Sequence, residues 1–178
     1  MPFVWIADPG KQQRGLHAVI SRVQRIQPGA VDPTVNNYHW LDLGVGLYDA
    51  CDRGGETVIL VDGKENVVEG PGFNVFTVKS GRVASPERGV LEGITRKTVI
   101  ELAAELDIPL ETREVPADEV RAADEVFITS TAGGVIPVTT VDGSAVGVGE
   151  PGPVTLRLRE AYWNLHQDPR FVLPVRYD

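Results

Sequence analysis

The sequence predicts an α/β domain of α+β character, built on a mixed sheet flanked by helices. Three observations predict it. Short β-branched runs separated by Asp-Gly and Ser-Gly pairs form a block in the first half of the chain. Segments with helical apolar spacing precede, interrupt and follow that block, which suits a mixed sheet better than a sandwich. The 178 residues are enough for one domain with a real core and too few for two ordinary ones. Residues 1–178 are therefore expected to form one domain.

The elements follow in order. His17 to Val23 reads as a strand, and Pro28-Gly29 and Asp32-Pro33 punctuate the loop after it. Trp40 to Asp52 carries Leu43, Leu47, Ala50 and Cys51 at helical spacing, which predicts a helix burying all four. Arg53-Gly54-Gly55 ends it, because glycine accepts the left-handed conformation past a helix end. Thr57 to Val61, Val67-Val68, Asn74 to Val78 and Arg82 to Ala84 read as strands, with turns at Asp62-Gly63 and Ser80-Gly81. Ile94 to Leu106 is an amphipathic helix, with Ile94, Val99, Leu102, Ala103 and Leu106 on one stripe. Asp118 to Ala123 is a short helix. Val126 to Ser130 is a strand broken by Ala132-Gly133-Gly134, Val135 to Val141 a strand closed by Asp142-Gly143, and Pro153 to His166 the last helix.

Composition narrows the function. Hydrophobic residues make up 42% and charged residues 24%, as in ordinary globular proteins. The net charge of -8, with no basic run, argues against nucleic acid and anionic membrane as partners. No apolar stretch is long enough to span a bilayer, and the start lacks a signal-peptide pattern. The single cysteine, Cys51, cannot form an internal disulfide, so a reducing cytoplasm is the expected location and a packed core thiol the expected role. His17, His39 and His166 lie far apart without ligand spacing, so no metal site is expected. Nucleotide fingerprints and the Gly-x-Ser-x-Gly elbow are absent from the sequence.

Three segments carry chemistry. Glu69-Gly70-Pro71-Gly72-Phe73-Asn74 places a carboxylate before glycines that permit close backbone approach. Gly89 to Lys97 opens a helix near Thr95, where unpaired N–H groups and the helix dipole suit phosphate. Thr129-Ser130-Thr131-Ala132-Gly133-Gly134 offers hydroxyls and a glycine turn after a strand, a second set of phosphate donors. Each also has a plain reading: Glu69 as a solvated turn residue, Thr95 as a helix cap, Ser130 and Thr131 as a strand end.

Together, Glu69 to Phe76, Gly93-Ile94-Thr95-Arg96, Ala123 to Thr131 and Pro137-Val138 resemble the class IV aminotransferases, fold-type IV enzymes that use pyridoxal 5′-phosphate (PLP). Ser130 to Gly134 and Gly152-Pro153-Val154-Thr155 look nearest to (R)-selective amine and branched-chain amino-acid transaminases. The resemblance covers about His17 to the C-terminus and implies the large C-terminal domain of that fold, a mixed sheet or pseudo-barrel flanked by helices. It implies that Glu69 faces the pyridine nitrogen and Leu91 packs on the ring. It places the phosphate at Thr95, the amides of Ile94 and Thr95, and a cup closed by Ser130 and Thr131. It puts Trp40, Ala132 and Gly133 at the substrate pocket. Small amines or keto acids and a homodimer are the expected partners.

Two departures qualify this. In Asp32-Pro33-Thr34-Val35-Asn36-Asn37-Tyr38-His39-Trp40-Leu41-Asp42, Asn36 stands where the family's catalytic lysine belongs, Leu41 where glycine is usual and Val45 where a basic residue is expected. An amide is neither nucleophilic nor basic, so Asn36 can neither tether the cofactor nor shuttle the proton. Of Lys11, Lys64, Lys79 and Lys97, none is placed by the sequence to substitute. The resemblance also implies a small N-terminal lid domain, for which residues 1–178 are expected to hold no counterpart. The sequence thus predicts PLP bound without a covalent bond and weak or lost transamination. A non-catalytic binding or scaffold protein, and a PLP-independent enzyme using Tyr38, His39 or Asp42, are the alternatives.

Overall fold

The computed structural model describes residues 8–175. In chain order these form α1 (Pro9–Arg14), β1 (Leu16–Gln24), α2 (Leu41–Asp52), β2 (Thr57–Val61), β3 (Glu69–Gly70), β4 (Phe73–Lys79), β5 (Arg82–Pro86) and α3 (Ile94–Glu105). Then follow β6 (Leu110–Arg113), α4 (Ala117–Arg121), β7 (Glu125–Ser130), β8 (Gly134–Val141), β9 (Ser144–Ala145) and α5 (Pro153–Asn164), with a 3-10 turn at Leu165–Gln167. The strands make one mixed sheet in the order β2-β1-β8-β7-β4-β5-β6, with β3 beside β4 and β9 beside β8. β1 runs parallel to β2 and β8, while β4, β7 and β8 are antiparallel neighbours.

The free edge of β2 does not stay open. Val67 bridges Val61, and the Val68 N–H donates to the Leu60 carbonyl at 2.9 Å. This segment leads directly into β3, so the sheet curls back on itself and hides what would be an exposed pairing edge. The pseudo-barrel expectation is met in this way.

Alternation along the strands explains the two faces. Leu16, Ala18 and Ile20, with Val126, Ile128, Ile136 and Val138, point inward to one core. Phe76 and Phe127 point outward and stack at 4.7 Å, packed under α3 through Val99, Leu102 and Ala103 and under α5 through Leu158. Val19, Val58 and Leu60 meet Leu43 and Ala50 of α2. A strand covered on both faces reads as an unbroken apolar run, and β2 is buried at every position.

The turns follow their residues. Ser80-Gly81 and Asp142-Gly143 have positive φ at both positions, the mirror-image turn that suits the twist of a hairpin. At the 62–65 loop the positive φ falls instead on Glu65, while the Asp62 carboxylate accepts from the N–H groups of Lys64 and Asn66.

Several expectations need correction. Cys51 is exposed, not buried. α2 meets the sheet along Leu43, Gly46 and Ala50, and a Cβ on Gly46 would lie 2.6 Å from Leu60 Cδ2. The absence of a side chain there lets the helix sit flat, which turns Leu47 to the margin and Cys51 outward. Ile94 is likewise exposed, not on the buried stripe of α3. The short helix begins at Ala117 and ends at Arg121, and α5 ends at Asn164 before tightening into the 3-10 turn. α1, β6 and β9 have no counterpart in the sequence reading.

Candidate functional site

A cavity of about 270 Å³ opens on the helix-covered face of the sheet, between the 33–40 loop, the start of α2 and the start of α3. Its floor is a row of paired residues. Glu69 on β3 faces Asn74 on β4, and Asn74 faces Thr129 on β7. Directly opposed residues on neighbouring antiparallel strands project to the same side, and all three line the cavity.

Glu69 is buried, so it is not a solvated turn residue. Its Oε1 accepts from Arg25 Nε at 3.1 Å and its Oε2 from the Leu91 N–H at 2.9 Å. Burial pushes the carboxyl above its usual range, while the Leu91 N–H and the Arg25 guanidinium pull the other way. Arg25 also donates to Asp42 Oδ2 at 2.7 Å. Burial disfavours the charge on Arg25, but the two carboxylates outweigh it and raise the group. Burial likewise opposes charge on Asp42, yet Arg25 and the N–H groups of Ile26 and Leu43 hold it below the usual carboxylate range. One buried cation, Arg25, thus joins two carboxylates, buried Glu69 on the floor and half-buried Asp42 beside it. Sequence reasoning missed Arg25. It follows a strand in the polar run Arg22-Val23-Gln24-Arg25, and no local pattern distinguishes it from a solvated arginine.

Asn74 shapes the rim. Its Nδ2 donates to the Leu91 carbonyl at 2.8 Å, fixing the loop that presents the Leu91 N–H to Glu69. Gly93 precedes α3, and a Cβ there would lie 2.4 Å from Asn74 Oδ1. No side chain caps α3. Thr95 is therefore not the cap the plain reading made it, and the first N–H groups of the helix are left for water or an anion. Thr95 is buried and lines the cavity, with Ile94 exposed at its mouth.

The third segment closes the far side. Ser130 and Thr131 line the cavity. Ser130 Oγ also accepts from the Gly133 N–H at 3.1 Å, which pins the turn after β7. Gly134 has φ 64°, and a Cβ there would lie 2.7 Å from Tyr162 Cε1. Ala132 and Gly133 are not among the lining residues; Gly133 instead accepts from Gln12 Nε2 through its carbonyl.

Asn36 and Trp40 line the cavity from the loop before α2, both exposed. No lysine is among the lining residues. Lys11 pairs with Glu56, Lys64 with Glu114, Lys79 with Asp124 and Lys97 with Glu92. Tyr38 and His39 are exposed and do not line the cavity, and Asp42 is engaged by Arg25. Among the described residues no cluster of His, Cys, Asp or Glu fits a metal ion, and no helix is long and apolar enough to cross a membrane.

The site's residues fit a phosphorylated, cationic ring. The floor carries the buried Glu69 carboxyl, the start of α3 is uncapped, and the Thr129 hydroxyl on the floor is buried without a partner.

Comparison with known proteins is consistent with that fit. Residues 3–141 match the family model described as amino-transferase class IV. The chain is 39% identical over 131 residues to a branched-chain-amino-acid aminotransferase of Pseudomonas aeruginosa, covering 73% of this chain and 43% of that protein. It is 36% identical over 171 residues to the Escherichia coli K12 enzyme of the same name, covering 92% and 54%. The crystal structure of the E. coli enzyme superposes with a TM-score of 0.87 at 32% identity, over 93% of this chain and 55% of that one. The branched-chain amino acid aminotransferase of Thermobaculum terrenum, in its PLP-form, superposes at 0.83 and 32% identity, over 88% and 53%. The chain thus spans about half the length of the curated relatives it matches.

Proposed function

The chain belongs to the class IV aminotransferases, and from that membership we propose that its cavity holds PLP without a covalent tether, with transamination of amines, amino acids and keto acids weak or lost. The observation that carries this reading is a cavity lined by Glu69, Leu91, Ile94, Thr95, Ser130 and Thr131, with Asn36 but no lysine on its wall.

When bound, PLP supplies an electron sink. Glu69, held by Arg25 and the Leu91 N–H, is placed to keep a proton on the ring nitrogen. The N–H groups of Ile94 and Thr95, with the hydroxyls of Thr95, Ser130 and Thr131, receive the phosphate. Leu91 and Trp40 supply apolar wall. Asn36 contributes only an amide, which cannot take a proton at neutral pH, so proton movement at the substrate carbon is left to water.

In this reading residues 1–178 are the cofactor-cradling large domain. Exposed Tyr38, Leu41, Val45 and Tyr48 form a stripe along the loop and α2 that a second copy would bury in a homodimer. The amide on the wall also favours a second reading, a binding protein that retains the cradle without turnover.

Asn36→Lys tests the assignment. The expected result is covalent trapping of the cofactor by borohydride and a rise in transamination. If the unaltered protein already traps the cofactor, or the variant gains neither property, Asn36 is not the position that decides tethering.

A further inference from the structure

Two buried side-chain oxygens lack a hydrogen-bond partner among the described residues: Oγ1 of Thr57 and Oγ1 of Thr129. An unmade bond on a buried hydroxyl is destabilising, so each needs a reason. Their surroundings differ. Thr57 lies at the start of β2, away from the cavity. Thr129 completes the floor row Glu69–Asn74–Thr129 and lines the cavity.

The neighbours of Thr129 in that row are committed. Glu69 holds Arg25 and the Leu91 N–H, and Asn74 holds the Leu91 carbonyl. On the same strand, Ser130 Oγ takes the Gly133 N–H. Of the three residues in the row, Thr129 is the one whose polar side-chain atom is buried without a partner. Rotation about χ1 among the staggered positions can carry Oγ1 to a different side of Cβ. Because Oγ1 makes no bond within the protein, turning it toward the cavity forfeits nothing.

We propose that Thr129 is a further ligand-contacting residue, whose hydroxyl is completed by a polar atom of the bound cofactor. This rests on the reading of the cavity as a PLP cradle. The hydroxyl lies in the row between the Glu69 carboxylate and the phosphate donors that begin at Ser130. The contacted atom therefore belongs to the ring substituents or to the phosphate.

Thr129→Val replaces the hydroxyl with a methyl of nearly the same shape. In an unliganded protein this removes an unsatisfied group, so thermal stability holds or rises. Affinity for PLP falls roughly 2- to 12-fold, the value of one neutral hydrogen bond. Thr57→Val is the control: stability holds or rises, and affinity does not change. Binding is read by quenching of tryptophan fluorescence, with PLP and with pyridoxal. A loss shared by both ligands places the contact on the ring, and a loss confined to PLP places it on the phosphate. If the unaltered protein binds PLP and Thr129→Val binds it equally well, the inference falls and the cradle stands. A variant that binds normally and loses stability would show a water-satisfied structural hydroxyl, and also overturns it. If the unaltered protein binds no PLP, the cradle reading falls and takes the inference with it.

Discussion

Arg25→Met removes the one cation between Asp42 and Glu69 while keeping much of the aliphatic stem. The side chains are 8%, 14% and 8% exposed for Arg25, Asp42 and Glu69, so water cannot replace the guanidinium. Asp42 keeps the N–H groups of Ile26 and Leu43, and Glu69 keeps that of Leu91. Neither keeps a counter-charge. Stranding a buried charge in this way costs about 3–5 kcal/mol. For a chain of this size that corresponds to a fall in Tm of roughly 6–20 °C. The pH dependence carries the sign. Burial already raises Glu69, and loss of Arg25 raises it further. A carboxyl raised in the folded state binds protons there more readily than when unfolded, so stability falls as pH rises from its unfolded value through the raised one. Urea unfolding at about pH 5 and about pH 8 should therefore show a smaller deficit at the lower pH, because Glu69 takes up a proton there. Adding Glu69→Gln should recover part of the loss by removing one stranded charge. A deficit below about 1 kcal/mol, or one equal at both pH values, would refute the view that Arg25 serves as a buried counter-ion.

Two further perturbations probe the frame around the site. Arg14 and, against burial, the His17 N–H and Lys11 hold Glu56 down to about 2. Its contribution is therefore present above the unfolded value near 4.5 and is lost as pH falls toward 2. Because Arg14 is half exposed, screening limits the effect, and Glu56→Gln should cost about 1 kcal/mol at neutral pH, vanish in the acid limb and shrink in high salt on urea titration. Gly70→Ala should be severe, since its Cβ would lie 2.3 Å from the Val58 carbonyl oxygen and 2.1 Å from Phe73 Cζ. The backbone must shift beside Glu69, so a loss of about 3 kcal/mol in thermal unfolding should accompany weaker cofactor binding.

Much of the fold was legible in the sequence because it is local. The hairpin at Ser80-Gly81 and the end of α2 at Gly54 are written in residues that tolerate positive φ, and the strands in their β-branched runs. What was not legible depends on partners far along the chain. β6 is half exposed and held by parallel pairing to β5. Its sequence, Leu-Glu-Thr-Arg, is too short for alternation to register. The outward turn of Cys51 follows from the close approach of Gly46 to Leu60, which no spacing rule contains. At the site, the motifs located Glu69, Thr95, Ser130 and Thr131 on one cavity, with Asn36, Trp40, Leu91 and Ile94. They did not exclude Ala132 and Gly133 from the wall, because the bond from the Gly133 N–H to Ser130 is a matter of turn geometry. Arg25 escaped, and Asp42 was read only as an acid–base group and not as an ion-pair partner, because the triad joins residues that are 17 and 44 positions apart, and sequence alone does not reveal that a charge is buried.

The central proposal is that this cavity binds PLP without tethering it. Visible absorption titration of the unaltered protein with PLP, followed by borohydride reduction and intact-mass analysis, tests it most directly. The account predicts a saturable spectral change with no gain in mass. A gain of one reduced cofactor would place a lysine within reach and contradict the untethered site, and no spectral change at all would contradict the cradle itself.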